Sequence, residues 1–229
     1  MFMLIECERE RMDEDLISYS MSSTHSILDR VAALLSLAPP LCMVSLFTLV
    51  LSRRDFATLC LVTSSLLNVA ICVLLKNIIK DPRPSLSSSL LPGHTPIASD
   101  DVYGMPSNHT QLICFLASYV CLWAMSGRWM VSLHWRILLS MGCIVLSLLV
   151  AWSRIYLGHH SVLQVLVGGA IGTTFGLLHY LLIESLRKKR VFFHLSQHPL
   201  SKFLLLRDCS NVDVMTAEYL AVVNDKRVS

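Results

Sequence analysis

The stretch Ser153-Arg154-Ile155-Tyr156-Leu157-Gly158-His159-His160-Ser161-Val162-Leu163-Gln164 lies between two apolar runs, Ile137–Trp152 and Ser161–Ile183. Arg, His and Gln are costly beside lipid, so a cluster of them at such a junction is a candidate functional site. A single His near a helix start is as readily structural, and the stretch has to be weighed by its company elsewhere in the chain.

The composition points to a membrane protein. Hydrophobic residues make up 54% of the 229 positions and charged residues only 15%, against about 25% charged in a soluble domain. Too few charges remain to cover a water-facing surface. The net charge of +3 is small, and no basic stripe interleaved with aromatics is present, so nucleic acid is not an expected partner. Eight Cys are scattered through the chain without a C-x-x-C pair. Neither a zinc site nor a disulfide framework is indicated, and buried, inert thiols are expected. Glu6 to Asp15 is a mixed-charge cluster rather than the basic start of a signal peptide, so the first apolar run is expected to direct insertion.

Working outward, the apolar runs give an all-α, polytopic bundle of about five transmembrane helices. Val31–Leu51 is 21 residues long, enough to cross the roughly 30 Å hydrocarbon core, with a kink expected at Pro39-Pro40. The second span runs from Phe56 to Leu75, and Lys76 to Lys80 extend its last turn. Asp81-Pro82-Arg83-Pro84 ends it, because each proline disfavours helix just before it and cannot donate to the ladder. Residues 85–105 are a polar loop. Pro106-Ser107-Asn108-His109 reads as a helix start with Ser107 as N-cap. Thr110–Ser126 is the third span, Ile137–Trp152 the fourth and Ser161–Ile183 the fifth. In the last, Gly168, Gly169, Gly172 and Gly176 are spaced for close helix packing. The domain boundaries expected are a polar tail at 1–30, a membrane-embedded domain at 31–190 and an amphipathic, then polar, tail at 191–229.

Five spans fix which loops share a side. Arg53, Arg54, Arg128, Arg136 and Arg187–Arg190 fall together, and the positive-inside rule makes that face cytoplasmic. The loops at 80–109 and 153–160 then face the lumen or exterior. Lys76 and Arg83 at the end of span two, Ser107, Asn108 and His109 at the start of span three, Arg154 at the end of span four, and His160 and Gln164 at the start of span five all reach that second face.

The set has one coherent chemistry. Three cations, Lys76, Arg83 and Arg154, compensate a dianionic phosphate, and Arg can bind it bidentately. The first-turn amides near Asn108 and His109 form a helix N-terminal anion site. Two His supply a nucleophile and a proton donor for phosphoryl transfer without a metal. His160 and Gln164 are neighbours on one helical face at i and i+4, so Gln164 can accept from one imidazole nitrogen and leave the other exposed. Sequence order does not choose between the adjacent His159 and His160. A metal site of His109, His159 and His160 is the weaker alternative, with only Asp100 and Asp101 nearby as carboxylates and cations that repel a divalent ion. Lys80 reads as a snorkelling cation, and Asn108-His109-Thr110 as a sequon poorly placed for glycosylation.

Lys76-x6-Arg83-Pro84, Pro106-Ser107-Asn108-His109 and Ser153-Arg154-x5-His160-x3-Gln164 resemble the three-part signature of the type 2 phosphatidic acid phosphatase superfamily, shared with vanadium haloperoxidases. Asn108 stands where Gly is usual, and Gln164 where Asp usually orients the nucleophilic His. Tyr103–Gln111, His160–Val165 and the segment Ser201–Ser210 resemble the dolichyldiphosphatase branch, which itself carries Gln at the Gln164 position. The resemblance spans residues 70 to 210. It implies His160 as nucleophile, His109 as acid and base, Gln164 as the group that orients His160, and Lys76, Arg83, Ser107, Asn108 and Arg154 as phosphate-binding residues, with no metal or other cofactor. It implies a dolichyl diphosphate lipid substrate within the membrane of the endoplasmic reticulum, hydrolysed on the lumenal side during recycling of the carrier lipid of N-glycosylation. Two other readings stand beside it: a lipid phosphatase of the same fold acting on another lipid phosphate, and a non-catalytic polyprenyl-phosphate binding protein.

Overall fold

A computed structural model describes residues 27–84, 103–127, 132–206 and 208. Among them the chain is helical throughout. Helix α1 spans Ile27–Ser36, α2 Ala38–Arg53, α3 Phe56–Ile79, α4 Asn108–Met125, α5 Leu133–Tyr156 and α6 Val162–Lys188, followed by short α7, Val191–Ser196, and α8, Pro199–Phe203. The expected break at the prolines is present: α1 and α2 are separated at Leu37, with Pro39 and Pro40 in the first turn of α2, where a missing N–H costs least.

Four stretches are long and apolar enough to cross a membrane: Ile27–Arg53, Phe56–Ile79, Leu133–Tyr156 and Val162–Lys188. No more than 28% of the most apolar window of any of them is buried inside the protein, so their apolar faces point outward, toward lipid. Helix α4 is the reverse. Its first turn is Asn108-His109-Thr110-Gln111, it falls outside the four apolar stretches, and most of its side chains are buried. It packs against α2, α3, α5 and α6 and forms the axis of the bundle. The span expected over Thr110–Ser126 is therefore a protein-enclosed central helix.

Two polar devices fix α4. Gln111 Nε2 donates to the Asn68 side-chain and backbone oxygens at 2.7 and 3.0 Å, tying α4 to α3 in a buried pair. On the other side, α6 lays small residues against the α4 backbone. A Cβ on Gly168 would sit 2.7 Å from the Ser107 carbonyl, and Cβ atoms on Gly172 and Gly176 would strike the Gln111 and Phe115 carbonyls. The expected glycine packing is thus three residues one turn apart; Gly169 points aside, toward Thr110 and Cys114 at ordinary contact distance.

The bundle has two distinct ends. At one, Asp55 caps α3 by accepting from Thr58 N and Oγ1, and Phe56 stacks on Phe192 of α7 with ring centroids 6.0 Å apart. The opposite end is where α3 stops and α4 and α6 start.

Candidate functional site

Helix α3 ends at Lys80, a left-handed residue (φ 52°) whose N–H closes on the Lys76 carbonyl. This leaves Lys76 in the last turn, only 6% exposed. The chain leaving α3 is held by a short extended contact: Gly104 N–H donates to the Asp81 carbonyl at 2.8 Å, and Pro82 and Tyr103 form an isolated β-bridge. Both ends of the intervening loop are thereby fixed beside the site. The loop itself, with Asp100 and Asp101, lies outside the described residues.

Helix α4 then begins. Ser107 occupies the N-cap position, yet its side chain makes no capping bond; its hydroxyl lies 3.2 Å from Thr110 Oγ1. The capping expected of the Ser107 side chain is not made, while Ser107 N–H donates to the Gln164 carbonyl at 3.2 Å. Gly168 makes this approach of α4 to α6 possible. Asn108 and His109 follow, both buried at the helix start. Burial of Asn108 agrees with the poor glycosylation site expected there.

Helix α5 ends at Tyr156, and Gly158, with φ 73°, turns the chain toward α6. Few side chains accept that backbone conformation. Arg154 in the last turn is only 2% exposed, with Nη1 2.9 Å from the Ser36 hydroxyl oxygen. His160 N–H donates to the Arg154 carbonyl at 3.2 Å, so the loop folds back and sets His160 over the end of α5.

Helix α6 opens with a capping box. Ser161 Oγ accepts from Gln164 N–H, and the Gln164 side-chain oxygen accepts from Ser161 N–H, both at 3.2 Å. That same oxygen lies 3.2 Å from His160 Nδ1. Gln164 Nε2 donates to Asp81 Oδ2 at 2.7 Å and to the Pro82 carbonyl at 2.9 Å. Two acceptors face the nitrogen end and an N–H faces the oxygen end, so the amide orientation is determined by its partners. His160 Nδ1 therefore donates, and Nε2 carries the lone pair.

Of the eight residues named from the sequence, Gln164 is bonded to His160 and Ser107, Lys76, Arg83 and Arg154 act on His160 by their charge, and Asn108 and His109 follow Ser107 in the first turn of α4. The adjacent His are now distinct: His160 is 3% exposed and bonded to Gln164, while His159 is half-buried. Burial pushes the His160 imidazole well below its ordinary value of 6.5, and the charges of Arg154, Arg83, Lys76 and His159 push it the same way. Both effects favour the neutral imidazole. The field of Arg154, Arg83 and Lys76 at one imidazole shows three separate chain segments converging on one spot. Among the described residues no three His, Cys, Asp or Glu side chains form a group able to hold a metal ion.

Three neighbours went unread in the sequence. Asp81 was taken only as part of a helix terminator, although its carboxylate accepts from the Gln164 amide at 2.7 Å. Ser36 is a lone hydroxyl in an apolar run and carries no signal of its own. Gly104 is required where it stands, since a Cβ there would lie 2.5 Å from the Gln164 side-chain oxygen.

The profile of the PAP2 superfamily matches residues 57–188, from the first turns of α3 to the end of α6. The chain belongs to the PAP2 superfamily. It is 31% identical over 194 residues to Dolichyldiphosphatase 1 of Homo sapiens, covering 82% of this chain and 78% of that protein. It is 31% identical over 196 residues to Dolichyldiphosphatase 1 of Dictyostelium discoideum, covering 84% and 81%. Dolichyldiphosphatase of Saccharomyces cerevisiae is 29% identical over 171 residues, covering 75% and 70%. Among solved structures, the fold is shared with a transmembrane PAP2 type phosphatidylglycerolphosphate phosphatase from Bacillus subtilis, with a TM-score of 0.55, 20% identity, and coverage of 82% of this chain and 93% of that one. Within the PAP2 superfamily the chain falls with the dolichyldiphosphatases. It is a multi-pass membrane hydrolase, a lipid phosphatase.

Proposed function

We propose that this protein hydrolyses dolichyl diphosphate to dolichyl phosphate and inorganic phosphate at the lumenal face of the endoplasmic reticulum, returning the carrier lipid of N-glycosylation to use. The observation that carries the reading is the neutral His160, its Nδ1 held by Gln164, within the field of Lys76, Arg83 and Arg154. A lipid carrier needs the cations; it has no use for an oriented nucleophile. Kinship with the dolichyldiphosphatases supports the substrate, and the Arg187–Arg190 cluster at the other end of α6 supports the lumenal orientation.

The chemistry runs in two displacements. His160 Nε2 attacks the terminal phosphorus, the bond from phosphorus to the bridging oxygen breaks, and that oxygen takes a proton from His109 as dolichyl phosphate leaves. A water, giving its proton to His109, then attacks the phosphohistidine; the phosphorus–nitrogen bond breaks and inorganic phosphate departs. In both transition states charge spreads over the equatorial oxygens, where Lys76, Arg83, Arg154, the Ser107 hydroxyl and the first-turn amides at Asn108 and His109 stabilise it. These cations do what a divalent ion would otherwise do, so the reading includes no metal.

The test is phosphate release by the purified protein, with chelator present, from a panel of dolichyl diphosphate, dolichyl phosphate, phosphatidate and a sphingoid phosphate. Preference for dolichyl diphosphate, abolished by His160→Ala in a protein that still inserts and folds, is expected. Preference for a monophosphate sinks the substrate assignment, and undiminished turnover by His160→Ala ends the mechanism.

A further inference from the structure

A glutamine is an ambiguous partner for a histidine. The two ends of its amide have nearly the same shape, one accepting and one donating, and rotation by half a turn exchanges them. Presented oxygen first, Gln164 makes His160 carry its proton on Nδ1 and expose the Nε2 lone pair. Presented nitrogen first, it would make Nδ1 the acceptor, move the proton to Nε2 and blunt the nucleophile. Something has to hold the amide, and the strongest of its contacts is to Asp81 Oδ2 at 2.7 Å.

The geometry points to Asp81 as a positioning residue for His160 that acts through the Gln164 amide. This rests on the reading of His160 as nucleophile. An ionised carboxylate only accepts, so it tolerates the amide nitrogen and repels the amide oxygen. It also polarises the amide, making the Gln164 oxygen a better acceptor for the Nδ1 proton. As Nε2 bonds to phosphorus the ring gains positive charge, and Asp81 is the anion at the far end of the chain His160 Nδ1–H to Gln164 to Asp81. No proton need move along it.

The mooring of Asp81 is independent of the groups it serves. Its carbonyl accepts from Gly104 N–H, and the next residue, Pro82, pairs with Tyr103. The Pro82 carbonyl accepts the second amide proton at 2.9 Å, and Gly104 leaves room for the amide on its other side. Replacing the carboxylate therefore leaves this backbone frame in place.

The experiment measures kcat and KM on dolichyl diphosphate for the wild type, Asp81→Ala, Gln164→Ala and the double variant, with Asp81→Asn beside them. In Asp81→Ala, kcat is expected to fall about 10–100-fold, by analogy with the outer hydrogen-bond partners of metal-bound histidines, with KM little changed. Asp81→Asn keeps an acceptor and should lose less. In the Gln164→Ala background, loss of Asp81 should add nothing. An unchanged kcat in Asp81→Ala, or equal losses in both backgrounds, overturns the proposal; if Asp81→Ala does not fold, Asp81→Asn carries the same comparison. A second measurement needs no substrate. In protein labelled with nitrogen-15 histidine, the His160 resonance, assigned by its absence in His160→Ala, should report the Nδ1–H tautomer in the wild type and a mixture in Asp81→Ala. The same tautomer in both overturns the proposal whatever the kinetics. A wild type inactive on dolichyl diphosphate defeats the substrate reading, and the tautomer comparison still decides the role of Asp81.

Discussion

Ser36 and Arg154, 118 positions apart, meet in a hydrogen bond of 2.9 Å from Arg154 Nη1 to the Ser36 hydroxyl oxygen. The hydroxyl proton is engaged with the Ala32 carbonyl at 3.1 Å, which turns a lone pair toward the guanidinium. Two residues further along α5, Tyr156 donates to Asp29 Oδ1 at 3.0 Å. Helix α1, which precedes the residues matched by the PAP2 profile, is thus clamped to the end of α5 that carries Arg154, proposed above to bind phosphate. Ser36→Ala removes one neutral partner of a buried charge, an effect of about 1.5–3 kcal/mol in typical cases. Part of this is recovered by rearrangement, so vanadate, a mimic of the pentacoordinate phosphoryl state, is expected to inhibit the variant about three- to tenfold less tightly. Unchanged inhibition would separate α1 from the site.

The pH dependence follows from His160. Its imidazole is held well below the ordinary 6.5, first by burial and then by Arg154, Arg83, Lys76 and His159. His160 stays neutral under conditions that protonate a solvent-exposed histidine, so with His160 as the proposed nucleophile the acid limb of kcat/KM should lie below pH 6.5. Arg83→Gln removes one of the repelling charges, which raises the imidazole value and moves that limb to higher pH. Stability changes in the same window. Below pH 6.5 the unfolded chain takes up a proton that the folded chain refuses, so this contribution to stability falls as the pH drops toward the depressed folded-state value. Profiles of kcat/KM for the two proteins measure the first effect, and denaturation midpoints across the same range measure the second.

His109 is expected to separate the two displacements. With p-nitrophenyl phosphate the leaving group needs no proton, so His109→Ala should still phosphorylate His160 while attack by water slows. A phosphoenzyme that is labile to acid and stable to alkali should accumulate in this variant and be absent from His109→Ala/His160→Ala. No accumulation would assign the proton transfers to another group.

The glycines can be ranked by what a methyl group would meet. In Gly172→Ala the Cβ strikes the Gln111 backbone, which cannot yield without moving α4, and a loss of at least roughly 1–3 kcal/mol is expected. Gly142 has nothing within 4 Å of its Cβ position, so Gly142→Ala should be neutral or slightly stabilising. Gly104→Ala should fold and yet lose turnover, because its methyl group displaces the Gln164 amide. Thermal unfolding and kcat, measured together on the three variants, test the ranking.

What the sequence disclosed depended on the kind of signal. Long apolar runs announced the helices, and cations beside such runs marked Lys76, Arg83 and Arg154, because charge in that setting demands a reason. The enclosure of α4 was not legible. A hydropathy window registers that Leu112, Phe115 and Leu116 avoid water and is silent on whether lipid or protein surrounds them. Ser107 looked like an ordinary cap, whereas the bond that ties it into the fold is from its backbone N–H to Gln164, on another helix. Asp81 and Ser36 were missed for the same reason: their meaning lies in partners that folding supplies, 83 and 118 positions away.

The central position of α4 also bears on how the protein is made. Its first turn holds Asn108, His109 and Gln111, whose transfer into lipid is unfavourable, and its lateral surface is completed by α3, α5 and α6. Less apolar than the four long stretches, α4 has a weak claim of its own to the bilayer and should depend on its contacts with α3, α5 and α6 to stay there. His160 lies in the turn that leads into α6. The charges of Lys76, Arg83 and Arg154 thus reach His160 only when the ends of α3 and α5 meet the turn before α6, so the cluster exists in the assembled bundle and in no single segment of the chain.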